Sequence, residues 1–210
     1  MNIFYKTFYI TFKSLFKWRY HHKIYGLEHF PPGAAVIASN HNSYLDPPLL
    51  GTSCPEEVYY FARASLFDHF LLKYFITRLN AYPVKGGTND LGSFKLISSF
   101  LENKKKVIIF PEGLRSVDGK LSEFKNGIAM LALRANCPII PVYIHGTYNI
   151  WNRFMKFPKF RGNTACVFGK PIYTDVYKHL TKKEAQEAIT QKVRESIENL
   201  RCWYENDATG

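Results

Sequence analysis

The sequence predicts an α/β fold, with a mixed, largely parallel sheet flanked by helices and an amphipathic helix at the N-terminus. Short apolar runs typical of buried strands alternate along the chain with segments of helical spacing. The 210 residues are enough for one domain with a full hydrophobic core, and too few for two large ones. We therefore expect an N-terminal helix over residues 1–22, followed by one domain over residues 23–205.

The N-terminal helix is predicted to have two unlike faces. On a helical wheel its lysines lie nearly opposite one apolar sector. This pattern is typical of a helix in a membrane interface, with its rings in the acyl boundary and its lysines near anionic headgroups. An amphipathic helix docked on its own domain would show the same pattern. The apolar sector comprises Phe4, Tyr5, Phe8, Phe12, Leu15 and Phe16.

The strands and helices of the main domain are predicted from its apolar runs and from the proline and glycine residues between them. Strands are predicted at residues 34–38, 58–61, 106–110, 138–144 and 164–168. Helices are predicted from Asp46, over residues 66–79 and over residues 126–135. A last helix begins near Thr181, which forms a capping-box signature with Glu184.

The net charge of +11 favours a polyanionic partner: nucleic acid, an anionic membrane surface or a phosphorylated substrate. A nucleic-acid module should interleave cations with exposed aromatic rings on one sheet face. The cations gather instead in the N-terminal helix and near the second motif described below, which disfavours nucleic acid. The four cysteines form no CxxC pair, so we expect no metal site. No apolar run reaches the roughly 18 to 20 residues of a spanning helix.

The first polar motif, from Asn40 to Asp46, directly follows the strand predicted at residues 34–38. A positioned imidazole such as that of His41 can remove the proton of a hydroxyl as the hydroxyl attacks a thioester. A carboxylate such as that of Asp46 can fix the tautomer of that imidazole. Asp46 before two prolines is also a good helix N-cap, so a structural role stays open.

The second polar motif runs from Phe110 to Ser116 and follows the strand predicted at residues 106–110. Ligands of open α/β sheets bind at the ends of such strands. The planar guanidinium of Arg115 suits a phosphate, Gly113 allows close approach of the backbone, and Glu112 could hold a hydroxyl. A surface turn with an incidental Glu–Arg pair is the alternative.

The order and spacing of these motifs resemble the glycerolipid acyltransferase family, which includes bacterial lysophosphatidate acyltransferases. His41 and Asp46 match its His-x4-Asp motif, and Phe110–Ser116 match its Phe-Pro-Glu-Gly-x-Arg-Ser motif. Ile140-Pro141-Val142 matches a later apolar segment with an internal proline. The resemblance covers roughly residues 23–172.

The resemblance implies a glycerol-3-phosphate acyltransferase-like fold and a role for each motif residue. His41 would be the general base and Asp46 its orienting acid. Glu112, Gly113 and Arg115 would bind the glycerol-phosphate part of the acceptor. The donor would be a thioester of coenzyme A or of acyl carrier protein, with no metal or redox cofactor. The N-terminal segment would hold the enzyme at the bilayer.

One family motif departs from its pattern. Residues 80–87 match the frame of a motif that usually carries an arginine, but Gly86 stands where that arginine is expected. Lys85 can supply a point charge beside it, and Arg63 lies where family members often carry a lysine. Each of these cations could equally be a solvated surface charge.

The predicted function is transfer of a fatty acyl chain to 1-acylglycerol-3-phosphate, which gives phosphatidate, at the cytoplasmic face of the cell membrane. The departure at Gly86 leaves another lysophospholipid open as the acceptor. A protein of a different class, which keeps this fold but only binds lipid, is disfavoured because the His41–Asp46 pair is complete.

Overall fold

A computed structural model describes residues 3–84 and 90–208 of the chain. The strands in these ranges are β1 Lys23–Tyr25, β2 Ala35–Ser39, β3 Val58–Arg63, β4 Ala81–Val84, β5 Lys106–Ile109, β6 Ile139–His145 and β7 Ala165–Phe168. The α-helices are α1 Ile3–Tyr20, α2 Asp46–Ser53, α3 Phe70–Arg78, α4 Leu91–Glu102, α5 Gly127–Ala135, α6 Thr147–Trp151 and α7 Lys182–Asn206. Three short 3-10 turns cover Leu27–His29, Ala64–Phe67 and Thr174–Tyr177.

The strands form one sheet in the order β1-β7-β6-β2-β5-β3-β4. Every neighbouring pair is parallel except β6 and β7, which confirms the predicted mixed, largely parallel sheet. Strands β5 and β6 both pair with β2 in parallel. The segments that follow these three strands therefore meet at one edge of the sheet. This edge is called the carboxyl edge below.

Helices cover both faces of the sheet, and alternate residues of each strand enter separate cores. Val36 and Ala38 of β2 pack in the core beneath α4, α5 and α7. Ala35 and Ile37 pack in the opposite core, which includes residues of α1, α2 and α6. The chain leaves β2 for α2 on one face, and leaves the adjacent β5 for α5 on the other. The carboxyl edge between β2 and β5 is therefore a switch point, where α/β sheets bind ligands.

The aromatic face of α1 packs against the rest of the protein. Tyr5, Phe16 and Tyr20 are buried, and Phe12 packs against the same core as Phe16. The wheel therefore separates the two faces of this helix correctly, but the partner of the aromatic face is the domain itself, the alternative that the sequence left open. None of the helices in the described ranges combines the length and the apolar character that crossing a bilayer requires.

The predicted elements are present, with a difference in one helix. The helix predicted over residues 66–79 is a 3-10 turn, Ala64–Phe67, followed by α3. Strands β1 and β4 and helices α4 and α6 were not predicted at all. The capping box at Thr181 and Glu184 is present at the start of α7, with both of its reciprocal hydrogen bonds.

Candidate active site

The first motif places an imidazole and a carboxylate in contact at the end of β2. His41 Nδ1 lies 2.9 Å from Asp46 Oδ2, and Asp46 is fully buried. The same Oδ2 accepts the backbone N–H groups of Asn42 at 2.6 Å and Ser43 at 2.7 Å. Asp46 is the first residue of α2, and its Oδ1 has no hydrogen-bond partner among the described residues, so its carboxylate does not cap that helix. The carboxylate therefore shapes the loop and orients His41, and the capping alternative is not what the structure shows.

The ring of His41 also has a fixed plane. Phe110 stacks on it with 4.1 Å between ring centroids and 19° between the planes. The side chain of His41 is 18% exposed. Because Nδ1 is engaged by Asp46, Nε2 is the nitrogen that can take a proton from a substrate.

The second motif holds the backbone of His41 from both sides. Glu112 Oε1 accepts the His41 N–H at 2.8 Å, and the Ser116 N–H donates to the His41 carbonyl at 2.7 Å. Glu112 Oε2 accepts both the N–H and the hydroxyl of Ser122, at 3.1 and 2.6 Å. Glu112 is buried, and both of its oxygens are bonded within the chain. This arrangement favours a positioning role for Glu112 over the substrate contact predicted from the sequence.

Gly113 makes the turn of the second motif possible. Its φ of +75° lies in the left-handed region, and a Cβ there would come within 2.9 Å of Lys125 Nζ. The turn directs the next residues back toward the first motif. A residue with a Cβ would strain the backbone of this turn, whereas the flexible Lys125 side chain could move aside.

Arg115 lies against the first motif with an unsatisfied donor. The centre of its guanidinium is 3.5 Å from the ring centroid of Tyr44. Its Nη1 is buried, and the described residues offer it no hydrogen-bond acceptor. A buried guanidinium nitrogen without an acceptor points to an anionic ligand, because leaving such a group unpaired is costly.

The structure describes one of the two remaining predicted cations, Arg63, and this residue lies on a strand that is not a neighbour of β2. Arg63 ends β3, which is separated from β2 by β5, and its side chain is exposed. Lys85 and Gly86 lie outside the described residues, so their predicted part in phosphate recognition stays a prediction. His145, a further residue at this edge, ends β6 and lies against α7, with its ring 4.7 Å from that of Tyr204, and burial lowers its pKa.

Several residues at the site had no role assigned from the sequence. The Asn40 side chain donates to the Ile144 carbonyl at 2.9 Å and accepts the Ile144 N–H at 2.7 Å, which ties the end of β2 to β6. The Ser43 hydroxyl donates to the Trp151 carbonyl at 2.7 Å. Residues 118–125, which include Ser122, resemble the stretch that follows the Phe-Pro-Glu-Gly-x-Arg-Ser motif in the family, and this was the one available signal. The bonds themselves depend on contacts across the sheet.

The apolar surface beside Phe110 continues into a groove of about 1410 Å³ on the face covered by α4, α5 and α7. Phe61, Phe94 and Leu131 are among its apolar lining residues. Its lining also includes the cations Lys95, Lys125, Arg134, Lys178 and Lys182. No group of three metal-ligating side chains is placed to hold a metal ion within residues 3–84 and 90–208.

The family model described as Acyltransferase matches residues 21–145, which is more than half of the chain and includes both motifs. The chain belongs to the acyltransferase family. The sequence-based resemblance to this family is thereby confirmed.

Relatives of this acyltransferase carry consistent names. A 1-acyl-sn-glycerol-3-phosphate acyltransferase of Bacillus subtilis is 27% identical over 180 residues, which are 85% of this chain and 87% of that protein. Human 1-acyl-sn-glycerol-3-phosphate acyltransferase beta is 32% identical over 130 residues, 58% of this chain and 45% of its own. A chloroplastic enzyme of that name from Arabidopsis thaliana is 28% identical over 154 residues, 71% of this chain and 43% of its own.

One solved structure shares the fold. The 1-acyl-sn-glycerophosphate (LPA) acyltransferase PlsC from Thermotoga maritima superposes with a TM-score of 0.77 at 24% identity. The match covers 94% of this chain and 79% of that one. The predicted glycerol-3-phosphate acyltransferase-like fold is therefore confirmed as the fold of an acyltransferase.

Proposed function

We propose that this acyltransferase moves a fatty acyl chain from a thioester donor to the free hydroxyl of 1-acylglycerol-3-phosphate, which gives phosphatidate. The observation that carries the proposal is the 2.9 Å contact between His41 Nδ1 and Asp46 Oδ2 at the carboxyl edge. The names of the relatives support this acceptor.

The proposed chemistry is direct transfer without an acyl-enzyme. His41 Nε2 takes the proton of the acceptor hydroxyl as its oxygen attacks the thioester carbonyl carbon. The tetrahedral intermediate then loses the thiolate, which takes the proton from the imidazolium and leaves as the thiol. Asp46 keeps the tautomer with the proton on Nδ1 and stabilises the imidazolium. The thioester is already activated, so the mechanism needs no metal or redox cofactor.

The acceptor phosphate is proposed to bind Arg115. Its buried, unsatisfied Nη1 supports this role, and its contact with Tyr44 brings it beside the loop that carries His41. Lys85 would add positive charge around the phosphate, whereas the exposed Arg63 at the end of β3 would attract it only at longer range.

The acyl chain is proposed to lie in the groove that begins at Phe110, whose apolar lining suits a long hydrocarbon. The donor would be an acyl thioester of coenzyme A or of acyl carrier protein, each of which carries phosphate groups. The cations that line the groove would attract either donor. We place the enzyme peripherally on the cytoplasmic face of the cell membrane. Residues 1–22 would form a helix that packs its aromatic face on the acyltransferase domain of residues 23–205 and presents its exposed side, which carries Lys6 and Lys17, to the membrane interface.

The proposal is tested with purified enzyme, lysophosphatidate and a panel of other lysophospholipids, each offered with both donors. Lysophosphatidate should be acylated fastest. His41→Ala should lower turnover at least about 100-fold, because it removes the base. His69→Ala, at an exposed histidine just before α3 that lines neither the site nor the groove, is the matched control. Retention of substantial turnover by His41→Ala, or a preference for another acceptor, would contradict the proposal.

A further inference from the structure

A loop of residues 152–163, between α6 and β7, presents phenylalanine rings to solvent at every third position. Phe154, Phe157 and Phe160 are 69%, 71% and 76% exposed. Rings of this size are normally buried, and three in one loop form an apolar patch. Such patches mark sites that bind a membrane, another protein or an apolar ligand.

Hydrogen bonds fix the backbone that holds these rings outward. The Lys159 N–H donates to the Ile150 carbonyl at 2.9 Å, and the Tyr20 hydroxyl donates to the Lys159 carbonyl at 3.2 Å. The indole of Trp151 donates to the Met155 carbonyl at 3.2 Å. The loop that carries the patch is therefore held in place by hydrogen bonds to α1 and α6.

Each ring has a cation beside it. The guanidinium of Arg19 lies 4.3 Å from the centroid of Phe160. Lys156 lies 5.6 Å from the Phe157 centroid, and Arg153 lies 5.7 Å from that of Phe154. The loop contains four cations and no acidic residue: Arg153, Lys156, Lys159 and Arg161. Rings and cations alternate, as they do in segments that enter the interface of an anionic bilayer.

The loop is attached to the active site. Ser43 of the first motif donates its hydroxyl to the Trp151 carbonyl, and Arg153 Nη1 lies 3.4 Å from the Arg115 carbonyl. Trp18, which precedes Arg19 in the last turn of α1, is exposed as well. The patch therefore lies on the same carboxyl edge as His41.

We propose that loop 152–163, together with Trp18, is the surface by which this protein docks on an anionic bilayer. The three rings enter the acyl boundary while the four cations stay among the headgroups. The proposal rests on the proposed function, since a lysophospholipid acceptor is supplied from a bilayer and would pass from the docked edge to His41. Aromatic rings and cations also occur in single-stranded nucleic-acid sites. The position beside an acyltransferase centre favours lipid.

The test uses the full chain and vesicles of phosphatidylcholine in which about a third of the lipid is phosphatidylglycerol. Binding is measured by cosedimentation. The variant Phe154→Ser/Phe157→Ser/Phe160→Ser should bind at least about 100-fold more weakly than the parent protein, with an unchanged melting temperature. Vesicles of phosphatidylcholine alone should bind the parent at least about tenfold more weakly.

A matched control carries Tyr173→Ser and Val176→Ser, at exposed residues near the opposite edge, where Ile172 pairs with Ile139 at the start of β6. It should bind like the parent. Equal binding by the triple variant and the parent would overturn the proposal, as would an equal loss in the control. Binding of a single-stranded oligonucleotide as tight as that of the vesicles would assign the patch to nucleic acid instead.

A rival apolar patch lies on α3, where Phe70 and Leu71 are exposed. A Phe70→Ser/Leu71→Ser variant separates the two surfaces. A loss of vesicle binding in this variant, without a loss in the triple variant, would overturn the proposal. A triple variant that fails to fold would be replaced by the single variant Phe157→Ser, for which about a tenfold loss is expected.

Two further measurements separate this proposal from the proposed function. His41→Ala should bind vesicles like the parent, because docking does not need the base. The triple variant should acylate a water-dispersed, short-chain lysophosphatidate at the parental rate. If the parent acylates no lysophospholipid but its binding still depends on the three rings, the proposed function fails and the docking surface stands.

Discussion

Glu112 and Arg115 are three residues apart, yet their surroundings give them different roles. The carboxylate of Glu112 is buried and bonded to His41 and Ser122, whereas Nη1 of Arg115 is buried without an acceptor among the described residues. The first residue is bonded within the protein, and the second is the one that we propose to bind the acceptor phosphate. Kinetics can distinguish these roles because they affect different constants.

Glu112→Ala should lower kcat about 100-fold and leave both KM values nearly unchanged, because His41 loses the bond that places it. Glu112→Gln keeps an oxygen for the His41 N–H and should restore most of kcat. Initial rates over a range of acceptor concentrations check both outcomes. A large rise in acceptor KM for Glu112→Ala would show that this carboxylate binds the substrate instead.

Arg115→Ala should raise the acceptor KM by about 10- to 100-fold, which is the effect of losing a charge-assisted hydrogen bond. The donor KM should stay as it is. Arg194→Ala, on the exposed face of α7, is the control for removal of a positive charge. Equal changes in the two KM values of Arg115→Ala would reject a headgroup role.

At the scale of elements, the side chain of Asn40 extends the hydrogen bonding between β2 and β6 beyond the end of β2. Its amide group meets both the N–H and the carbonyl of buried Ile144, as a peptide group of a longer strand would. The loop that carries His41 therefore begins from a fixed point.

Asn40→Ala should lower the free energy of unfolding by about 3 kcal/mol, because two buried backbone groups lose their partners. Urea denaturation measures the difference. Asn103→Ala, at an exposed side chain that bonds only within its own helix end, is the control and should change stability much less. A cost for Asn40→Ala no larger than that of the control would refute the strand-tying role.

The elements also show what could be predicted from the sequence. Spacing predicts strands such as β2 and β5 because their side chains are buried on both faces. It does not predict β4, a four-residue strand that contains Pro83 and is the last strand of the sheet. The helical wheel assigns the two faces of α1 correctly. It cannot tell whether the apolar face lies in a bilayer or in a protein core, because apolar rings are buried in both.

The role of Glu112 could not be predicted for a related reason. Its partner is the backbone N–H of a residue 71 positions earlier, and only the pairing of β2 with β5 brings the two together. The pair His41–Asp46 could be predicted because its two residues are close in the chain.

At the scale of the whole molecule, His22 joins segments from three parts of the chain. Its ring nitrogens lie 2.9 Å from the Thr164 hydroxyl and 2.8 Å from the Ser53 hydroxyl. Burial lowers the pKa of His22 from 6.5 to about 4, so the folded protein holds this ring neutral.

This shift predicts the acid stability of the fold. Between pH 6.5 and about 4 the unfolded chain binds a proton at His22 that the folded protein does not, so stability falls as the pH falls through this window. The contribution is up to about 3 kcal/mol. Urea denaturation at several pH values should show a steeper loss for the parent than for His22→Gln. Parallel profiles would contradict the assignment.

The bonds that hold His41 and its loop have a consequence for the newly made chain. The His41 N–H donates to Glu112, 71 residues downstream, and the Ser43 hydroxyl donates to the Trp151 carbonyl, 108 residues downstream. A ribosome that has released only the first motif has therefore exposed His41 and Asp46 without Glu112 and Trp151. The nascent chain can form every one of these contacts only after Trp151 has emerged, just before the loop proposed to dock on the bilayer.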